Sequence, residues 1–281
     1  MPPVPHHTHI SSTHRLLDLH LDELWRYRDL IWLLTRRSFV VTYTQTILGP
    51  LWLVLNPLLT SAIYVVLFGR IAGLSTGGVP QLLFYLLGTA LWTYFSSCVT
   101  ANASTFVDNA NLFGKVYFPR LAVPISQVLG ALIRLGIQLL LVGALLAYYV
   151  VIGAVSPRWE LWAAVPVMLL QLGALGMGCG IIVSSLTTRY RDLKVLVGFG
   201  VSLWMYITPV VYPLSSVPES LRWLVSINPV TTPMECLRLA LLGVGNVAMG
   251  DLVLSVAVAC AVIFAGMVIF TKVERTFMDT I

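Results

Sequence analysis

Few side chains in this sequence have the type and spacing to do chemistry. No glycine-rich loop ends in Gly-Lys-Ser or Gly-Lys-Thr, so the phosphate cradle of P-loop proteins is missing. No His-Glu-x-x-His pair occurs. The cysteines Cys98, Cys179, Cys236 and Cys260 are scattered without metal-ligand spacing, and the first, second and fourth lie in apolar runs, where a thiol packs as a small residue. His6, His7 and His9 could ligate a metal, but they sit in a Pro- and His-rich stretch that reads as a tail. What stands out is one base, Arg134, deep inside a long apolar run. It has two readings. Its stem lets the charged head snorkel to an aqueous edge, or its planar fork holds an anion such as phosphate. The aromatics Tyr43, Trp52, Tyr85, Trp92, Tyr94, Phe95, Trp204 and Tyr206 also have two readings, as interface anchors or as faces lining a path.

The composition says what must position these residues. Of 281 residues, 58% are hydrophobic and only 10% charged, against about 25% charged in soluble domains. Mean hydropathy is +0.87. The class is integral membrane protein. In a soluble protein the +5 charge would raise nucleic acid as a partner; here the bases fall in short loops between apolar runs, where topology accounts for them. Lipid admits only helices and closed barrels, and long uniform runs favour helices over alternating strands of ~10 residues.

The expected fold is all-α, with six transmembrane helices, an N-terminal amphipathic interface helix, and two short re-entrant or interfacial helices between spans 5 and 6. Residues 1–15 read as a flexible tail. Residues 16–37 read as the amphipathic helix, with Leu21, Leu24, Tyr27, Ile31 and Leu34 at helical spacing and an end at Arg36 and Arg37. Residues 38–271 form the transmembrane domain and 272–281 a polar tail. No residue from 38 to 69 is charged, a run longer than the ~20 residues that cross a ~30 Å core. The spans are predicted at 42–68, 81–106, 124–151, 161–186, 195–211 and 252–271. Pro50 and Pro57 are expected to kink the first; Gly173, Gly176, Gly178 and Gly180 let the fourth approach its neighbours. Residues 218–225 and 232–242 read as the two short helices.

Twelve of the 17 Lys and Arg fall on one side of this arrangement, among them Arg36, Arg37, Lys115, Arg120, Arg191 and Lys194. Arg70, Arg158, Arg222 and Arg238 fall on the other. The positive-inside rule then puts both termini in the cytoplasm. All 12 carboxylates lie in tails, in loops or at run edges, which weighs against a proton- or cation-coupled carrier. The pieces describe a passive membrane half whose energy arrives from elsewhere.

In order along the chain come Tyr27-Arg28-Asp29-Leu30, then Arg36-Arg37, then the stretch from Tyr43 through Gly49 and Pro50 to Trp52. There follow Lys115-Val116-Tyr117-Phe118-Pro119-Arg120, Arg189-Tyr190-Arg191-Asp192, Pro209 to Tyr212, Asn228-Pro229, and Glu235 with Arg238. Together these resemble the membrane subunits of ABC-2 type polysaccharide exporters, the O-antigen, capsule, teichoic-acid and galactan exporters of bacteria. The resemblance implies a multi-pass inner-membrane permease that pairs with a second copy of itself and with two copies of a cytoplasmic ATPase. That ATPase binds ATP and Mg, and this chain carries no cofactor. The implied cargo is an undecaprenyl-pyrophosphate-linked glycan or similar polymer. The resemblance also assigns regions. Residues 109–120 match the ATPase-coupling segment (Asn109, Lys115, Tyr117, Phe118, Arg120). Residues 189–194 match the cytoplasmic gate loop (Arg189, Tyr190, Arg191, Asp192). Residues 218–242 match the pair of outer-mouth helices (Pro218, Asn228, Pro229, Glu235, Arg238). In such exporters spans 1, 2 and 5 line the path. From the residues themselves, the predicted spans carry aromatics and small polar groups but one charge, so Tyr43, Trp92, Phe95, Trp204 and Tyr206 are path candidates and Arg134 is expected to contact the anionic linker or water. The alternatives are a related ABC-2 permease for drugs or lipids, and a membrane scaffold that conducts nothing.

Overall fold

The computed structural model describes residues 21–43, 46–113, 118–187, 190 and 192–278. The N-terminal tail with its histidines, Lys115, Tyr117, Arg189, Arg191 and the last three residues lie outside the described residues.

In chain order the helices are α1 (Leu21–Arg26), α2 (Arg28–Tyr43), α3 (Trp52–Tyr64), α4 (Gln81–Ala103), α5 (Thr105–Asp108), α6 (Ala110–Phe113), α7 (Ala122–Val151), α8 (Ala164–Thr187), α9 (Leu193–Ile207), α10 (Glu219–Ser226), α11 (Thr231–Leu242) and α12 (Met249–Met278). A 3-10 turn, Gly49–Leu51, precedes α3, and a π-helical segment, Val65–Ile71, extends it. Five helical segments are long and apolar enough to cross a membrane: Gly49–Ile71, Gln81–Ala103, Ala122–Val151, Ala164–Thr187 and Met249–Val273. The chain is thus an all-α, multi-span membrane protein.

Several boundaries differ from those expected, each for a local reason. The amphipathic helix does not stop at Arg36 and Arg37 but runs on to Tyr43, because no helix breaker occurs before Gly49 and Pro50. Gly49 takes a positive φ of 49°, and Pro50 sits in the 3-10 turn that leads into α3, where its missing N–H has no helical partner to lose. Pro50 therefore starts the first span; Pro57 alone lies inside it. The fifth apolar run stops at Ile207 rather than 211, since Thr208 is extended (ψ 139°) ahead of Pro209. At 15 residues and ~1.5 Å per residue, α9 spans about 22 Å.

The α4 helix is the centre of the bundle: most of it is buried, whereas the first and last spans are largely exposed. It packs on α8, α7, α3 and α9. The expected small-residue contacts are present. Gly176 and Gly180 turn to α4, where an added Cβ would lie 2.7 Å from Cys98 Cβ and 2.6 Å from Val99 O respectively; Gly173 meets Tyr94 of the same helix. Gly178 faces α12 instead. Such close approach replaces the hydrophobic drive that is missing between helices in lipid. A second, smaller core lies at the end of the bundle rich in bases. There Leu24 and Ile31 of α1 and α2 join Phe106, Phe113, Phe118, Ala122, Val123, Ile181 and Phe270.

Candidate functional site

Polar residues four apart share a helix face. In the apolar helices such pairs are Asn56 and Thr60 on α3, Thr89, Thr93 and Ser97 on α4, and Arg134 and Gln138 on α7. The fold turns all three stripes onto one cavity of about 470 Å³, which Thr42 and Tyr43 at the end of α2 also line. Arg134 lies about 18 Å along α7 from Ala122 at ~1.5 Å per residue, near mid-span. A helical side chain leans toward its own N-terminus. Accordingly, a Cβ on Gly130 would sit 3.7 Å from an Arg134 Nη and 3.3 Å from Ser38 Oγ of α2. Among the described residues Arg134 makes no ion pair, and no carboxylate lines the cavity. Burial pushes the Tyr43 hydroxyl above the usual phenol range and Arg134 partly pulls it back, so it stays protonated and able to donate at neutral pH.

The other path candidates lie elsewhere. Trp92 and Phe95 are buried in α4, with ring centroids 5.5 Å apart, and Phe95 meets Trp204 of α9 edge-on at 5.2 Å. These three form a continuous aromatic wall joining α4 to α9. Tyr206 faces outward from α9, with 62% of its surface exposed.

At the opposite end of the bundle, the segment after α9 is held by two side chains. Asn228 Nδ2 donates to Thr208 Oγ1 at 2.9 Å, while its Oδ1 accepts from Trp204 Nε1 and Val230 N–H, both at 3.2 Å. Arg238 is 1% exposed. It donates to Pro209 O at 2.5 Å, Val210 O at 2.7 Å and Glu235 Oε1 at 3.1 Å, and its Cζ stands 4.0 Å above the Phe84 ring. Glu235 is also buried, enclosed by protein although not in a long span. Pro229 O accepts from Ser255 of α12 at 2.9 Å. Pro218 is the N-cap residue of α10. The resemblance groups Asn228, Glu235 and Arg238 in one region; the structure gives them different tasks, with Arg238 donating to the carbonyls of Pro209 and Val210 just past the end of α9, Glu235 accepting from that guanidinium, and Asn228 tying Thr208 to Trp204 and Val230. A second cavity of about 420 Å³ adjoins this cluster, lined by Glu235, Arg238, Arg222 and Asp251.

At the basic end, Asn109 Nδ2 donates to Thr105 O at 2.9 Å. Phe118 is buried against Phe113 at 5.8 Å, and Arg120, also buried, lies 5.6 Å over the Phe113 ring. In the single subunit Phe118 therefore belongs to the small core rather than to an open aromatic surface. Tyr190 and Asp192 are exposed. One contact has no local sequence signal: Lys194 Nζ reaches both oxygens of Asp108, at 3.0 and 3.1 Å, while Ser104 Oγ donates to Asp108 at 2.6 Å. It joins the segment before residues 109–120 to the end of residues 189–194.

The fold is that of a multi-span helical membrane protein with a polar-lined cavity and, among the described residues, no grouping of His, Cys, Asp and Glu that could hold a metal ion. Residues 29–242 match the ABC-2 type transporter family, and the chain belongs to that family. It is 28% identical over 254 residues to the O-antigen export system permease protein RfbA of Klebsiella pneumoniae, a match covering 89% of this chain and 94% of the relative. It is 32% identical over 216 residues to the protein of that name from Myxococcus xanthus, covering 75% and 80% respectively.

Proposed function

We propose that this chain is the membrane permease of an ATP-driven exporter that moves a lipid-linked polysaccharide of the O-antigen, galactan or teichoic-acid kind across the bacterial inner membrane. The similarity to O-antigen export permeases over 89% of the chain carries this reading. Six spans, with α9 as the short fifth, leave both termini in the cytoplasm. Two copies pair through the outward apolar faces of α3 and α9, where Leu59, Ile63, Phe199 and Leu203 are exposed. Tyr206, on that same face, lines the path between them, and Trp92, Phe95 and Trp204 form the wall behind it. Two copies of a separate ATPase dock at the basic end on residues 109–120. ATP-driven closure shifts residues 189–194 through that contact, because a ligand-driven change needs a differential contact with the moving element. Glu235, Arg238 and Asn228 hold α10 and α11 at the outer mouth.

The test is complementation. The chain and its cognate ATPase are expressed in a bacterium whose own O-antigen permease is deleted but whose polymer synthesis is intact. Surface polymer should return only when both are present. Drug resistance or lipid translocation without surface polymer would transfer the chain to the efflux branch, and no effect on the partner's ATP turnover would leave only a scaffold.

A further inference from the structure

We infer that the cavity around Arg134 is a binding site for a phosphoryl group on a lipid-like molecule. Three observations carry this. An arginine near mid-span has no carboxylate among the described residues to neutralise it, and a charge in that position needs water or an anion. The surrounding groups include the neutral hydroxyls and amides of Tyr43, Asn56, Thr93 and Gln138, each able to donate to one of the several acceptors of a tetrahedral oxyanion, and no carboxylate that would draw a cation instead. The cavity also lies where the surface helix α2 meets the first span, since Thr42 and Tyr43 share its lining with Asn56 and Thr60. The outward Trp25 and Trp32, 72% and 60% exposed, mark the start of that helix pair as the headgroup-level end, from which α2 runs along α7, Thr35 Oγ1 donating to Ser126 O, to bring Tyr43 to the cavity. An anion reaching this depth with an apolar stem is a lipid phosphate or pyrophosphate. Arg134, leaning back over Gly130 toward Ser38, meets it bidentately.

The inference rests on the export reading only for the source of the phosphate: the lipid carrier of the polymer, or the phospholipid of the bilayer. Native mass spectrometry on the purified permease–ATPase complex separates these. The probes are a long-chain polyprenyl pyrophosphate, the matching polyprenol, phosphatidylglycerol and phosphatidylcholine. The pyrophosphate should bind and the polyprenol should not. Arg134→Leu should weaken the pyrophosphate roughly 10-fold or more, the worth of one charge-assisted hydrogen bond, and Arg134→Lys should weaken it less. Asn56→Leu, on an exposed position of α3, should weaken it as well and keeps the test open if Arg134→Leu does not assemble. Phosphatidylglycerol binding that depends on Arg134 upholds the site and assigns it to a bilayer headgroup. Equal binding of pyrophosphate and polyprenol, or pyrophosphate binding indifferent to both Arg134 variants, overturns it. Failed complementation with Arg134-dependent binding intact would remove the export reading alone; surface polymer export without such binding would remove this site alone.

Discussion

Two arginines of this bundle, the buried Arg238 and the half-buried Arg134, are opposites. Arg238 is paired within the chain: a carboxylate, two backbone carbonyls at 2.5 and 2.7 Å and an aromatic face surround its guanidinium, with Nε left without a partner. Arg134 meets hydroxyls, amides and open volume, with no carboxylate at hand. A buried charge whose carboxylate partner lies inside the chain is part of the architecture. A half-buried charge near mid-span with no carboxylate beside it is left to water or to an anion from outside. Pro209 ends α9 early, and the carbonyls of Pro209 and Val210 just past that end are bound by one guanidinium.

The largest break in this comparison is Glu235→Ala. It leaves Arg238 charged, buried and short of its counter-ion, which costs about 3–5 kcal/mol. Chemical denaturation of the detergent-purified permease should show the loss, and poor accumulation in the membrane should accompany it. Replacing the pair together, Glu235→Leu with Arg238→Met, should recover part of the stability but not all, because the carbonyls of Pro209 and Val210 still lose their donor. Full recovery would show that the pair matters only to itself.

Next in size is Gly88→Ala. Its Cβ would meet Val210 O at 2.5 Å and an Arg238 Nη at 2.9 Å. Neither a backbone oxygen nor a pinned guanidinium can retreat cheaply, so a loss of about 1–3 kcal/mol is expected. Gly136 of α7 has open space around it, and Gly136→Ala should be neutral by the same denaturation measurement.

Arg134→Leu should move stability the other way. Removing an arginine near mid-span relieves a fraction of the ~2.5–3.5 kcal/mol insertion cost of such a residue, so a gain of roughly 1–2 kcal/mol is expected in the ligand-free permease. A loss comparable to that of Glu235→Ala would erase the contrast and make Arg134 a second structural arginine.

These contrasts also mark what was legible in the chain. The long spans were, because 38–69 and its successors are apolar beyond any soluble need. Gly173, Gly176, Gly178 and Gly180 were legible as close-packing positions, but not which helix each meets: three turn to α4 and Gly178 to α12. The early end of α9 was legible in principle from Thr208 and Pro209. The polar stripes headed by Asn56, Thr89 and Arg134 could each be read four residues at a time, but their convergence depends on how three helices are rotated, which no single helix encodes. For the same reason Trp92 and Phe95 turned inward and Tyr206 outward although all three were path candidates. Phe118 stood with the ATPase-coupling residues of 109–120, and its burial was not legible because the small core under α1 and α2 is assembled from distant segments.

The smallest energetic effect belongs to Asp108 and Lys194, and it sharpens the comparison by adding a third kind of charge. Both are about half exposed, with side-chain relative exposures of 49% and 56%, so the pair is worth only about 0.2–1 kcal/mol and is screened as salt rises. Its position makes it more than decoration. Asp108 closes the short helix that leads into residues 109–120, and Lys194 stands in the first turn of α9. A displacement of the first segment therefore pulls directly on the second through two short contacts. Asp108→Lys and Lys194→Asp should each leave folding nearly unchanged while lowering ATP turnover and polymer transfer in the assembled complex. The double reversal should restore both, since the geometry accepts either polarity apart from the Ser104 hydroxyl, which can accept as well as donate. Measured at low and at high salt, the rescue should shrink with ionic strength. A double variant as impaired as the single ones would show that the two residues act separately and that motion crosses to α9 by another contact; a single variant that unfolds would make the pair a structural rivet like Glu235 and Arg238.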